Sequence, residues 1–83
     1  MQLKFKLYAG LSQYLPPEAR DNVLQMEISE TTTANEIIDR FQVPRRLAHL
    51  VLLNGIYLKP EDRDRPVMRD GDTLAIWPPV AGG

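Results

Sequence analysis

The 83-residue sequence predicts an α+β fold, a mixed five-stranded sheet with one main helix packed on one face. Three observations predict it. Apolar residues alternate with polar ones near the start of the chain and again after Asn22, a period of two that marks strands. Thr33-Ala34-Asn35-Glu36 carries a helix-start signal, and a dense apolar run ends in Asn54-Gly55, the strongest short hairpin signal.

From Leu3 to Leu7 the alternation with Lys4 and Lys6 puts Leu3, Phe5 and Leu7 on one face of a first strand. Ala9 to Asn22 contains Gly10 and Pro16-Pro17 and reads as a loop returning the chain, with room for a helical turn. In the second strand Leu24, Met26 and Ile28 share a face opposite Gln25, Glu27 and Ser29. Thr33 and Glu36 form a capping box, in which hydroxyl and carboxylate satisfy free N–H groups at a helix start. Ile37, Ile38 and Phe41 fall within one helical turn, and Pro44 stops the helix near Gln42. Leu50 to Leu53 and Ile56 to Lys59 are the arms of a hairpin, because Asn and Gly both tolerate the positive φ of a type I′ turn. Pro60 to Pro66 is a polar loop, and Asp70-Gly71-Asp72 turns into a last strand, Thr73 to Trp77. Two antiparallel pairs, a helix between them and a final strand to be accommodated describe a β-grasp. By analogy with that fold, the strand order across the sheet is second, first, fifth, third, fourth.

At this size the chain builds one core. Ten basic and eleven acidic residues are evenly mixed, so no nucleic-acid footprint is expected, and Arg45-Arg46 reads as a solvated corner. No apolar run approaches the length of a membrane span, and with no cysteine the expected setting is the cytoplasm. The inventory for catalysis is poor. There is one histidine, His49, expected at a strand edge; Ser12 and Ser29 lack a nucleophile context; and Asp70 and Asp72 are explained by turn chemistry. Neither a metal site nor a nucleotide site is expected.

What remains is the end of the chain. The expected organisation is a domain over residues 1–77 and a flexible tail over residues 78–83, Pro78-Pro79-Val80-Ala81-Gly82-Gly83. Two prolines block any continuing ladder, and a terminal Gly82-Gly83 has no side chain near its carboxylate, so it can pass through a narrow channel into another protein's active site. A frayed terminus is the plain alternative for Gly-Gly alone; its position just beyond the last strand of a β-grasp favours a functional end. Alternation further places Ala75 and Trp77 on the face opposite Leu74 and Ile76, and these two with Leu52 form a candidate partner-docking patch, with a lysine stem of the first strand near the indole. The competing reading makes Trp77 part of the core, and the all-apolar run around Leu52 leaves its facing open.

Leu53-Asn54-Gly55, the Asp70-Gly71-Asp72-Thr73 turn and above all the ending Trp77-Pro78-Pro79-Val80-Ala81-Gly82-Gly83 resemble a known family along the whole chain. It is that of the ubiquitin-like bacterial sulfur carriers, comprising the small subunit of molybdopterin synthase (MoaD) and the thiamine sulfur carrier (ThiS). The ending is similar to the aromatic-Pro-Pro-Val-x-Gly-Gly of the molybdopterin branch. The segment from Thr33 to Leu50 is short for that branch, and Asn54-Gly55 also suits the thiamine branch. The resemblance implies a non-catalytic carrier with no stably bound cofactor. An adenylyltransferase of the ubiquitin-activating type uses ATP to join AMP to the Gly83 carboxyl, and a sulfur donor displaces AMP to leave a thiocarboxylate. The large subunit of molybdopterin synthase then supplies the pocket in which that sulfur is delivered for molybdenum or tungsten cofactor synthesis. The same resemblance leaves two other roles, a thiamine-type carrier and a protein modifier joined through Gly83 to lysines.

Overall fold

A computed structural model describes residues 1–79. The chain runs through β1 (Gln2–Leu7), β2 (Val23–Glu27), α1 (Ala34–Arg40), β3 (Leu50–Leu53), β4 (Ile56–Tyr57) and β5 (Asp72–Trp77), with short 3-10 turns at Ala9–Tyr14, Arg45–Leu47 and Pro60–Asp62. The strands form one sheet in the order β2-β1-β5-β3-β4. β1 and β5 run parallel and every other pair antiparallel, so the mixed β-grasp sheet expected from the sequence is the one found.

The strand periods do what alternation requires. Leu3, Phe5 and Leu7 of β1, Leu74 and Ile76 of β5 and Val51 of β3 are fully buried on one face, beneath Ile37 and Ile38 of α1. The Phe5 and Phe41 rings stack at 5.2 Å between sheet and helix end. Burying a side chain of this size contributes about 1.5–3 kcal/mol, so this layer is the main source of stability.

At the helix start Thr33 Oγ1 accepts a hydrogen bond from the Glu36 N–H at 3.1 Å, the hydroxyl half of the predicted capping box. The helix ends close to the expected Gln42. It closes at Arg40, because Phe41 leaves helical geometry and Gln42 turns left-handed at φ 60°, two residues before Pro44. The β3–β4 hairpin has the anticipated I′ signature, Asn54 at φ 52° and Gly55 at φ 81°, but β4 ends at Tyr57 instead of Lys59. Just beyond it Leu58 still donates its N–H to the Val51 carbonyl at 2.8 Å, while its own carbonyl accepts from Arg63 Nε at 2.9 Å.

Candidate functional site

The register of β5 decides which side chains share the open face of the sheet, the one away from α1. Ala75 lies opposite Lys6 of β1 and Leu52 of β3, Trp77 lies opposite Leu50, and Leu52 lies opposite Tyr57. Residues directly opposite across strands point to the same side. Leu50, Leu52, Tyr57, Ala75 and Trp77 therefore line one half of the open face, while Lys4, Lys6, Gln25 and Glu27 cover the half built by β1 and β2. Leu52, whose facing the sequence left open, belongs with Ala75 and Trp77.

The predicted patch is thus assembled on one face, with two corrections. Ala75 is only 8% exposed and gives little surface of its own; the accessible apolar area comes from Leu50 and Tyr57, at 37% and 50% exposure. The neighbour of the indole is also not a lysine stem. The Tyr8 ring stacks on Trp77 with centroids 4.2 Å apart and planes within 4°. Trp77 is half-buried by this ring and lies outside the helix-covered core, so it is neither the freely exposed anchor nor the core residue that sequence reasoning weighed. Tyr8, Leu50 and, through its pairing with Leu52, Tyr57 are the residues of this face that sequence reasoning missed. Extending the β1 alternation one position past Leu7 would have found the first, and the pairing of Leu50 with Trp77 gives the second.

The two ends of β5 are built differently. At its start, Asn54 Nδ2 donates to Asp72 Oδ1 and Asn54 Oδ1 accepts from the Thr73 N–H, both at 2.9 Å. The Asn54 N–H donates to the Thr73 carbonyl at 2.8 Å, and the Gly71 N–H donates to the Gln2 carbonyl. Asp70 accepts from the Gln2 N–H at 2.6 Å, and Asp72 Oδ2 from the Arg69 N–H at 2.8 Å. These two carboxylates hold a turn, as their spacing around a left-handed Gly71 implies. At the far end the His49 N–H donates to the Trp77 carbonyl at 3.2 Å, and Pro78 and Pro79 then offer no donor. His49 itself is exposed at the edge of β3.

Among the described residues no group of histidine, cysteine or acidic side chains is spaced to hold a metal, and no helix is long and apolar enough to cross a membrane. Two clefts of about 280 and 300 Å³ open beside Leu53, Ile56 and Val67 and beside Asn35, Arg45 and Arg63. Neither is lined by a serine, cysteine or histidine. Arg45 is held by a bidentate pair to Asp39 at 2.7 and 2.8 Å, and this hydrogen bonding lowers the Asp39 pKa below the usual carboxylate value. The Arg45-Arg46 corner is solvated, as expected. Val80, Ala81, Gly82 and Gly83, which the sequence singles out as the reactive end, lie outside the described residues.

Solved structures share this fold. The HVO 2177 protein of Haloferax volcanii superposes with a TM-score of 0.71 at 21% identity over 100% of this chain and 87% of that one. SAMP1 of the same organism gives 0.67 at 22% identity, and a chain of the complex between subunits 1 and 2 of the molybdopterin-converting factor of Helicobacter pylori 26695 gives 0.60 at 17%, each covering both chains completely. No curated protein matches the sequence. A family model described as Mut7-C ubiquitin matches residues 1–82, from the first strand through Gly82, and with the ubiquitin-like sheet already traced it shows that the chain belongs to the Mut7-C ubiquitin family.

Proposed function

We propose that the chain is a sulfur carrier that works through Gly83 and serves molybdopterin synthesis as the small subunit of the synthase. The observation that carries the reading is the end of β5: the last strand finishes beside a half-apolar open face, and the sequence continues as Pro78-Pro79-Val80-Ala81-Gly82-Gly83. A side-chain-free carboxylate at the end of a narrow arm is a substrate for other proteins' active sites. The molybdopterin-converting factor that shares the fold is itself a complex of two subunits, which supports a role exercised in company.

The chemistry needs activation. A carboxylate is a poor electrophile; attack of the Gly83 carboxylate on the α-phosphorus of ATP expels pyrophosphate and leaves an acyl-adenylate. A sulfide equivalent then displaces AMP and leaves a thiocarboxylate, an anionic sulfur nucleophile at neutral pH. On this reading residues 78–83 are the working tail, the activating enzyme and the large subunit dock on the Leu50, Leu52 and Trp77 face, and both encounters take place in the cytoplasm, where ATP is supplied.

Mass analysis of the protein after incubation with the activating enzyme, ATP and a sulfur source should find sulfur in place of one carboxyl oxygen. Deleting Gly83, or adding one residue after it, should abolish the product while the melting temperature stays put. Loading of either variant would end the proposal. The pathway is tested by complementation: rescue of a strain lacking the molybdopterin synthase small subunit is the expected result, and rescue of a thiamine auxotroph alone would move the protein to the other branch. Lysine conjugates recovered from cells would make it a modifier.

A further inference from the structure

We infer that Tyr8 is a positioning residue for the tail, clamping Trp77 in the sheet and so setting the direction in which the chain leaves it. The functional half of this inference rests on the sulfur-carrier reading; the mechanical half does not. The ladder of β5 runs out at Trp77, since Pro78 and Pro79 cannot donate: its last rung is the pairing with Leu50, joined by the bond from the His49 N–H to the Trp77 carbonyl. The last rung of a ladder, with nothing paired beyond it, frays more readily than its interior unless a side chain holds it. The near-parallel Tyr8 ring at 4.2 Å supplies that hold.

Tyr8 is itself fixed on both sides. Its N–H donates to the Ile76 carbonyl at 3.1 Å, which carries the parallel β1–β5 pairing one residue beyond Leu7, and its carbonyl accepts from the N–H of Leu11, a residue 1% exposed. Directly after it Ala9 takes a left-handed φ of 52°, a conformation unfavourable for a residue with a Cβ. The chain accepts that strain in the step that swings it away from β1 immediately behind the tyrosine ring. Beyond the clamp, a residue before proline is restricted to extended geometry, and each proline fixes its own φ. A held Trp77 therefore starts a stiff arm of about 6 Å over Pro78 and Pro79 at ~3.1 Å per residue. An arm aimed before the encounter needs less ordering when it enters a partner's channel, which favours binding.

Trp77 is the sole tryptophan, so its indole N–H is a single, assignable probe. In ¹⁵N relaxation, Tyr8→Ala should lower the indole order parameter from the rigid range, about 0.85, to below about 0.6, while Tyr8→Phe keeps it rigid. Tyr8→Leu, which preserves apolar bulk under the indole without a ring, replaces the alanine variant if that one melts early. In ATP–pyrophosphate exchange with a purified adenylyltransferase of the ubiquitin-activating type, the ring-less variant should raise KM for the carrier about tenfold with kcat within about twofold, and Tyr8→Phe should restore both. An unchanged indole order parameter overturns the inference, and so does a loosened indole with unchanged KM. Failure of the unaltered protein to be adenylated would instead sink the sulfur-carrier reading, and the relaxation measurement would still decide the clamp.

Discussion

Beyond the main-chain ladder, the start of β5 is held by a polar latch of side chains and its end by an aromatic stack. Asn54, Gln2, Asp70 and Asp72 share six hydrogen bonds of 2.6–2.9 Å around the incoming strand. At Trp77 the backbone pairing with Leu50 and His49 is backed by one side-chain contact, the Tyr8 ring. Hydrogen bonds depend on direction and fix which residue faces which, so the latch sets the register that puts Leu74 and Ile76 in the core and Trp77 on the open face. Stacked rings are less particular about angle and leave an apolar surface that another protein can share. One strand thus combines a specified end with an adaptable one.

The contrast can be broken most severely at the latch. Asn54→Ala removes both side-chain bonds and places a Cβ-bearing residue without a local hydrogen bond at φ 52°, which should cost about 2–3 kcal/mol in urea unfolding. Asn54→Gly loses the same bonds but keeps the left-handed turn at ease, and should cost about 1 kcal/mol less. Equal losses would show that turn strain plays no part. At the adaptable end the effect should appear in binding: Trp77→Ala should weaken affinity for the activating enzyme or the large subunit by about 2 kcal/mol, roughly thirtyfold, and lower stability by about 1 kcal/mol. A collapsed melting transition with unchanged affinity would make Trp77 a core residue and move the docking face elsewhere.

The smallest effect belongs to the pair away from both ends. Asp39 and Arg45 are 54% and 55% exposed, so Asp39→Asn should barely alter the melting temperature at neutral pH. The sign follows from the lowered Asp39 pKa, held down first by the Arg45 hydrogen bonds. Any stabilisation is present above the unfolded value near ~3.9 and is lost as pH falls through the lower folded value. The difference between the two proteins should therefore disappear in strong acid. A difference that grew on acidification would contradict the assignment.

Much of this was legible in the sequence because the signals are local. Leu3, Phe5 and Leu7 needed only a period of two, Thr33 a cap, Asn54-Gly55 a turn with two positive φ angles. The strand order came from fold analogy, since no local pattern says that the last strand lies between the first and third. What was missed is what depends on partners distant in sequence. Gln42 ends the helix by turning left-handed, ahead of the Pro44 to which the stop was assigned, an angle no apolar period encodes. Asn54 looked like half of a turn, and its grip on Asp72 and Thr73 exists only once β5 is in place. Tyr8 fell between the strand read to Leu7 and the loop read from Ala9, and its stack needs the parallel register of β1 with β5. At the tail the sequence reaches further than the described residues, and Gly83 rests on its chemistry.

The parallel pairing of β1 with β5 also governs when the protein can exist. Leu3 and Asp72, about 70 residues apart, are neighbours at the centre of the sheet, so the slot beside β1 stays empty until β5 has emerged from the ribosome. Closing so long a loop places folding in the slower range typical of non-local topologies. During that interval Leu3, Phe5 and Leu7 sit on a strand with an unpaired inner edge, open to any passing strand. Lys4 and Lys6, between those apolar residues, put charge on that edge while it waits, a protective task that the finished fold no longer displays.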